Sequence, residues 1–226
     1  MNKGVVFLLS LLFFSACAER PQPAPQATIP VAEQSVQDNS VIQDNRTPNI
    51  AEIRQSAEAG NDIAEYNLGV AFNIGEGVDQ SSGQAVYWWL KSARKGLPEA
   101  QLLMGSVYHV GVKVSRDDAK ALYWWQQAAN QGDPEALFNI GLANFQGDFG
   151  LEKNDSKAAE AWLKASQRGY AKAMYNLSVA YRDGLGVPLS PVESDKWLRK
   201  AAAKGIVRAR RALEKKERQG IIDSLG

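Results

Sequence analysis

The chain opens with an apolar run from Val5 to Phe14, interrupted only by Ser10 and preceded by a single cation, Lys3. A run of this size suits the hydrophobic region of a signal peptide and falls short of the roughly 20 residues a bilayer-spanning helix needs. Residues 18–46 carry no periodic apolar pattern and are rich in Pro, Gln, Ala and Asn, with Pro21, Pro23, Pro25 and Pro30 among them. They read as a disordered tether with a coil span of about 30 Å. Beyond them, apolar residues recur at helical spacing in short segments. In the segment Ala64–Phe72, Leu68 and Phe72 lie four apart on one face. In the next, positions 85, 89, 92 and 96 share a face, with Trp88 at its border.

This two-segment pattern repeats. Gly60, Gly96 and Gly132 are 36 apart, as are Ala64, Ala100 and Ala136, then Gly69, Gly105 and Gly141, and Gly75, Gly111 and Gly147. Trp88-Trp89 returns as Trp124-Trp125. After Gly147 the register slips by one, to Gly169 and Ala173, and then resumes at Gly205 and Ala209. One extra residue in the loop around 148–151 accounts for the slip. Four copies of a helix pair cannot each bury an apolar face alone, so they must stack. Small residues at the alanine and glycine positions let helices approach, and the tryptophans fill the groove between them. Ser190-Pro191-Val192-Glu193 offers an N-cap, a first-turn proline and a reciprocal acid, and Asp133-Pro134-Glu135 offers the first two.

The motif A-x-x-x-L-G-x-x-aromatic-x-x-G-x-G-V followed by K-A-x-x-W-aromatic-x-K-A-A-x-x-G resembles the Sel-one-like repeat, a relative of the tetratricopeptide repeat, over about residues 50–210. Lys120-Ala121, Trp124-Trp125, Ala128-Ala129 and Gly132 carry it closely, as do Tyr175-Asn176-Leu177, Tyr181 and Gly184-Leu185-Gly186-Val187. Ser178 replaces the helix glycine in copy four; Asn144 and Ala161 depart from the pattern in copy three, which is expected to pack less regularly. The resemblance implies an all-α, right-handed α/α solenoid. Its expected parts are a capping helix within 47–63, beginning at Thr47-Pro48 and ending at Gly60, four repeats over 64–208, and a closing helix and tail over 209–226. Residues 1–16 are the expected signal peptide and 17–46 the anchor and tether.

Phe14-Ser15-Ala16-Cys17 resembles the lipobox of bacterial lipoproteins, which implies acylation of Cys17, the single cysteine of the chain. Two or three acyl chains on one residue anchor durably. Ala18 after that cysteine implies, by the same resemblance, an outer-membrane lipoprotein facing the periplasm.

A net charge of +1 names no partner. Between Arg199 and Arg218, however, nine Lys/Arg face only Glu214 and Glu217. This basic closing segment is either a solvated cap or an anionic contact through Arg208, Arg210, Arg211 and Lys215. With one histidine, His109, and a cysteine assigned to the anchor, Cys/His pairs, His-based triads and common zinc cages are disfavoured, and no cofactor or metal is expected. Gly75-Glu76-Gly77 and Gly184-Leu185-Gly186 are turns of the repeat rather than phosphate loops. By analogy with tetratricopeptide arrays, first helices line a groove with three rows of side chains: Tyr66, Leu102, Phe138 and Tyr175; Val70, Ser106, Leu142 and Val179; Asn73, His109, Phe145 and Arg182. The first row either faces a protein or peptide partner or belongs partly to the inter-helix core. The reading is an envelope adaptor for secretion, polysaccharide export, motility or wall assembly, with an envelope hydrolase as the alternative. Nucleic acid is not an expected partner.

Overall fold

The first helix starts where the chain supplies a cap. In the computed structural model, which describes residues 49–225 with side chains to residue 219, the Asn49 side chain accepts from the N–H groups of Ala51 and Glu52 and begins α1 (Ile50–Glu58). The expected start at Thr47-Pro48, the signal peptide, Cys17 and the tether lie outside the described residues. Nine more helices follow among those described: α2 (Asp62–Ile74), α3 (Ser82–Lys95), α4 (Pro98–Val110), α5 (Asp118–Asn130), α6 (Pro134–Gln146), α7 (Asp155–Gln167), α8 (Ala171–Asp183), α9 (Pro191–Ala203) and α10 (Val207–Leu225). Each packs on its chain neighbours, and the pairs α2–α3, α4–α5, α6–α7 and α8–α9 are the four repeats. α1 precedes them as the expected cap.

Local chemistry sets the boundaries. Gly75, Gly111, Gly147 and Gly184 close the first helix of each repeat in the left-handed conformation, with φ between 69° and 83°. Asp133 starts α6 by accepting from the Ala136 N–H at 2.7 Å. Ser190 caps α9 in the same way, accepting from Glu193 N–H at 3.3 Å. The expected reciprocal half of that cap is not used: the Ser190 N–H donates to the Tyr181 carbonyl, and the Glu193 carboxylate pairs with Lys196.

The core is a seam of alanines and indoles. Ala85, Ala100, Ala121, Ala136, Ala158 and Ala173 are fully buried, and Trp89, Trp125 and Trp162 are nearly so. Each indole lies against the first helix of its own repeat, directly over a glycine. A Cβ added at Gly69, Gly105 or Gly141 would lie 2.5, 2.3 and 2.4 Å from the indoles of Trp89, Trp125 and Trp162. The glycine is therefore required by the ring that rests on it. Burying one indole contributes on the order of 4–6 kcal/mol gross. The fit has a cost, because the three indole N–H groups are buried without hydrogen-bond partners.

Copy three keeps this seam, contrary to the expectation of looser packing. Asn144 is buried and donates its amide to the Ile140 carbonyl at 2.9 Å, and Ala161 is buried as well. The irregularity is confined to the loop with the extra residue, where Phe149 adopts a positive φ of 61° and stacks near His109 and Trp125 of the preceding repeat.

Successive repeats are also tied by polar contacts. Lys95, at the end of α3, donates to the Gly60 carbonyl at 2.7 Å, and its counterpart Gln131 donates to the Gly96 carbonyl at 2.7 Å. α10 takes the place of the first helix of a fifth repeat. Ala209 is buried in the same register as Ala173, while Arg208, Arg210, Arg211 and Lys215 are exposed. It starts at Val207, two residues before the expected closing segment, and extends to Leu225.

Candidate functional site

The predicted rows follow the first helices in order. Tyr66, Leu102, Phe138 and Tyr175 are all half-buried, as are Val70, Ser106, Leu142 and Val179. Leu102, Phe138, Leu142 and Tyr175 pack on the edge of the core while keeping part of their surface open. Burial, with a smaller contribution from the nearby Glu99 carboxylate, pushes the Tyr66 phenol above its usual value. Phe138 leans on the Tyr170 ring at 5.2 Å between centroids.

The third row has a second task, which spacing alone did not show. His109 packs on Trp125 (5.6 Å between centroids) and on Phe149, with Nδ1 3.7 Å from an Asp118 carboxylate oxygen. Phe145 packs on Trp162 at 5.5 Å, and Lys153 lies over its ring. These two residues cover buried indoles and offer a partner only their outer edges. Arg182, their counterpart in repeat four, is exposed and forms a two-point ion pair with Asp183 at 2.7 Å. That hydrogen bond holds the Asp183 carboxyl below its usual range and raises the already high value of Arg182.

Repeat four differs for a reason visible in the register. Counting forward from Trp89, Trp125 and Trp162, the next position is Leu198; the tryptophan of this copy, Trp197, continues the Trp88 and Trp124 position instead. The glycine beneath the indole has become Ser178, and the alanine series Ala85, Ala121 and Ala158 continues as Ser194. A cleft of about 310 Å³ opens at this place, walled by Ser178, Val179, Ser194, Leu198 and Ala212, with Tyr175, Arg182, Lys215 and Lys216 around it. It unites two sets that the sequence reading kept apart: the groove residues Tyr175 and Arg182, and Lys215 from the basic helix. Arg208, Arg210 and Arg211 do not line it. Leu198, Ser194 and Ala212 were not singled out from sequence, although carrying the register through the Trp89 and Ala85 positions would have revealed the first two.

A broader, open hollow lies at the other end, between Arg54 of α1 and Phe72, Val78 and Gln84 of repeat one. On second helices, Tyr87 and Tyr123 stand more than half exposed beside Trp88 and Trp124. Among the described residues, no three His, Cys, Asp or Glu side chains gather where a metal ion could be held, and no helix is long and apolar enough to cross a membrane.

Stacked antiparallel helix pairs with one shared seam define a helical-repeat scaffold, a class suited to protein–protein interaction. The chain belongs to the Sel1 repeat family, whose sequence model matches residues 62–97, 98–133, 134–170 and 171–206; the third match carries the extra residue. Among solved structures it is similar to a Sel1 repeat protein from Oxalobacter formigenes, with 31% identity and a TM-score of 0.69 over 74% of this chain and 48% of that one. It is also similar to c5321, described as a protective antigen of uropathogenic Escherichia coli strains with an SLR fold, with 38% identity and a TM-score of 0.67 over 71% of this chain and 34% of that one. The chain thus corresponds to about half of the first protein's length and a third of the second's. No curated protein matches it.

Proposed function

We propose that this protein is an envelope lipoprotein adaptor, anchored through acylated Cys17, that holds a protein or peptide partner along the first helices of its repeats. The observation that carries the binding half is the continuous half-buried row Tyr66, Leu102, Phe138 and Tyr175, which ends at the repeat-four cleft with its cationic surround. An extended or helical segment laid across successive first helices would meet one such side chain per layer, a spacing suited to peptide capture in a groove. The envelope half is supported by the apolar run and the lipobox-like Phe14-Ser15-Ala16-Cys17. A relative described as a protective antigen is in keeping with placement outside the cytoplasm.

Crosslinked envelopes provide the test. Partners recovered with the wild-type chain are expected to be lost with Tyr66→Ala/Phe138→Ala while helicity is retained; loss of helicity would instead assign the row to the core. Cys17→Ser is expected to release the chain from the membrane fraction, and unchanged membrane association would remove the anchor from the reading.

A further inference from the structure

The cleft in repeat four is a place that the other three repeats fill with a side chain of their own. In each of those, an indole rests over glycine; here Leu198 is too short to occupy the same volume, and Ser178 and Ser194 replace Gly and Ala. Leu198, Val179, Ala212 and the Tyr175 ring give the opening apolar lining, with Ala212 contributed by α10. Its polar groups are also placed for use. The Ser178 hydroxyl donates to the Tyr175 carbonyl at 2.7 Å, so its oxygen lone pairs remain able to accept. The lining residues include three cations and no acid. Arg182 is paired with Asp183 and Lys216 with Asp195, while Lys215 makes no ion pair among the described residues.

We infer that this cleft receives an aromatic side chain of a protein partner, with a carboxylate beside that ring meeting Lys215. This inference rests on the adaptor reading above and supplies the chemistry of the bound segment. The guest ring cannot copy the resident pose, because the Ser178 Cβ stands where resident indoles rest on glycine, so it sits further out, against the α10 wall at Ala212. There an indole N–H has the Ser178 oxygen as a potential acceptor, which the resident indoles lack. An aromatic anchor in a preformed slot, with a charge at its rim, is the usual makeup of an interface hot spot.

The full chain titrated with N-acetyl-tryptophan provides the test, followed through the methyl NMR signals of Leu198, Val179 and Ala212. Saturable shifts at these methyls are expected at millimolar ligand, with N-acetyl-tryptophanamide several-fold weaker and N-acetyl-leucine weaker still. Lys215→Glu is expected to erase the preference for the acid over the amide. Ser178→Gly/Leu198→Trp, which rebuilds the glycine–indole contact from inside, is expected to abolish the shifts at Val179 and Ala212. Ala212→Phe fills the slot from the opposite wall and is expected to do the same, so the inference stays testable if the first variant misfolds. No saturable shift in the wild type, or binding undiminished in a folded slot-filling variant, would overturn the inference. Equal affinity for acid and amide would overturn its carboxylate part. Partner recovery that still depends on Tyr66 and Phe138 would, in that event, leave the adaptor reading standing.

Discussion

Repeats one to three and repeat four solve the same packing problem in opposite ways. In the first three, the backbone gives way to the side chain: glycine vacates a position so that an indole can lie flat on the helix. In the fourth, side-chain volume returns to the helix as Ser178 and leaves the partner position as Leu198. Neither change alone would fit, since a Cβ under Trp162 would stand 2.4 Å from its ring, and a leucine over glycine would leave a larger void. The two substitutions are coupled, and their joint result is an open cleft in place of a closed seam. A second contrast runs the same way. Glu65 and Gln101 are buried polar side chains, held by Lys91 and Lys95 in one case and by Gln131 in the other. Their counterparts in repeats three and four are Leu137 and Met174. The polar version in repeat one leaves Glu65 Oε2 without a hydrogen bond, a cost that the apolar copies avoid.

The largest expected effect separates filled from open seams. Trp125→Ala should cost about 3–5 kcal/mol in chemical denaturation, whereas Leu198→Ala should cost about 2, because the space beside it is already open. Equal losses would break the contrast. Next, Gly105→Ala forces a methyl into Trp125 and should cost about 2–3 kcal/mol, while Ser178→Ala should stay below about 1 kcal/mol. Lys95→Met weakens the pairing of a buried carboxylate and removes a link to the Gly60 carbonyl. It should cost about 2 kcal/mol, and adding Glu65→Leu should recover most of that loss. Last and smallest, Lys113 holds a φ of 53° at the position where the other repeats have Gly77, Gly150 and Gly186. Lys113→Gly should raise stability by up to about 1 kcal/mol, read as a higher unfolding midpoint.

Much of this architecture could be read from the chain because a glycine or alanine recurring every 36 residues has few causes other than a stacked repeat. The four helix pairs, the closing helix and the extra residue near Phe149 all followed from that register. Other features depended on atoms that spacing does not describe. His109 and Phe145 carry the same row number as Arg182, yet two of them cover indoles and the third flanks a cleft, because what lies beneath differs. The exchange at Leu198 was hidden by Trp197, which keeps the first tryptophan of the pair, at the Trp88 and Trp124 position, about 100° around the helix from the one that is lost. The unused half of the Ser190 cap was equally invisible, since Glu193 has Lys196 three residues on as a competing partner.

The closing helix carries one further consequence. Because α10 continues the register of the array, its outer face stands where the next helix of a further repeat would pack. Arg208, Arg210 and Arg211 are exposed on this helix, so a further helix packed over them would have to bury them. Extending the stack from this end would therefore carry the cost of desolvating those guanidinium groups.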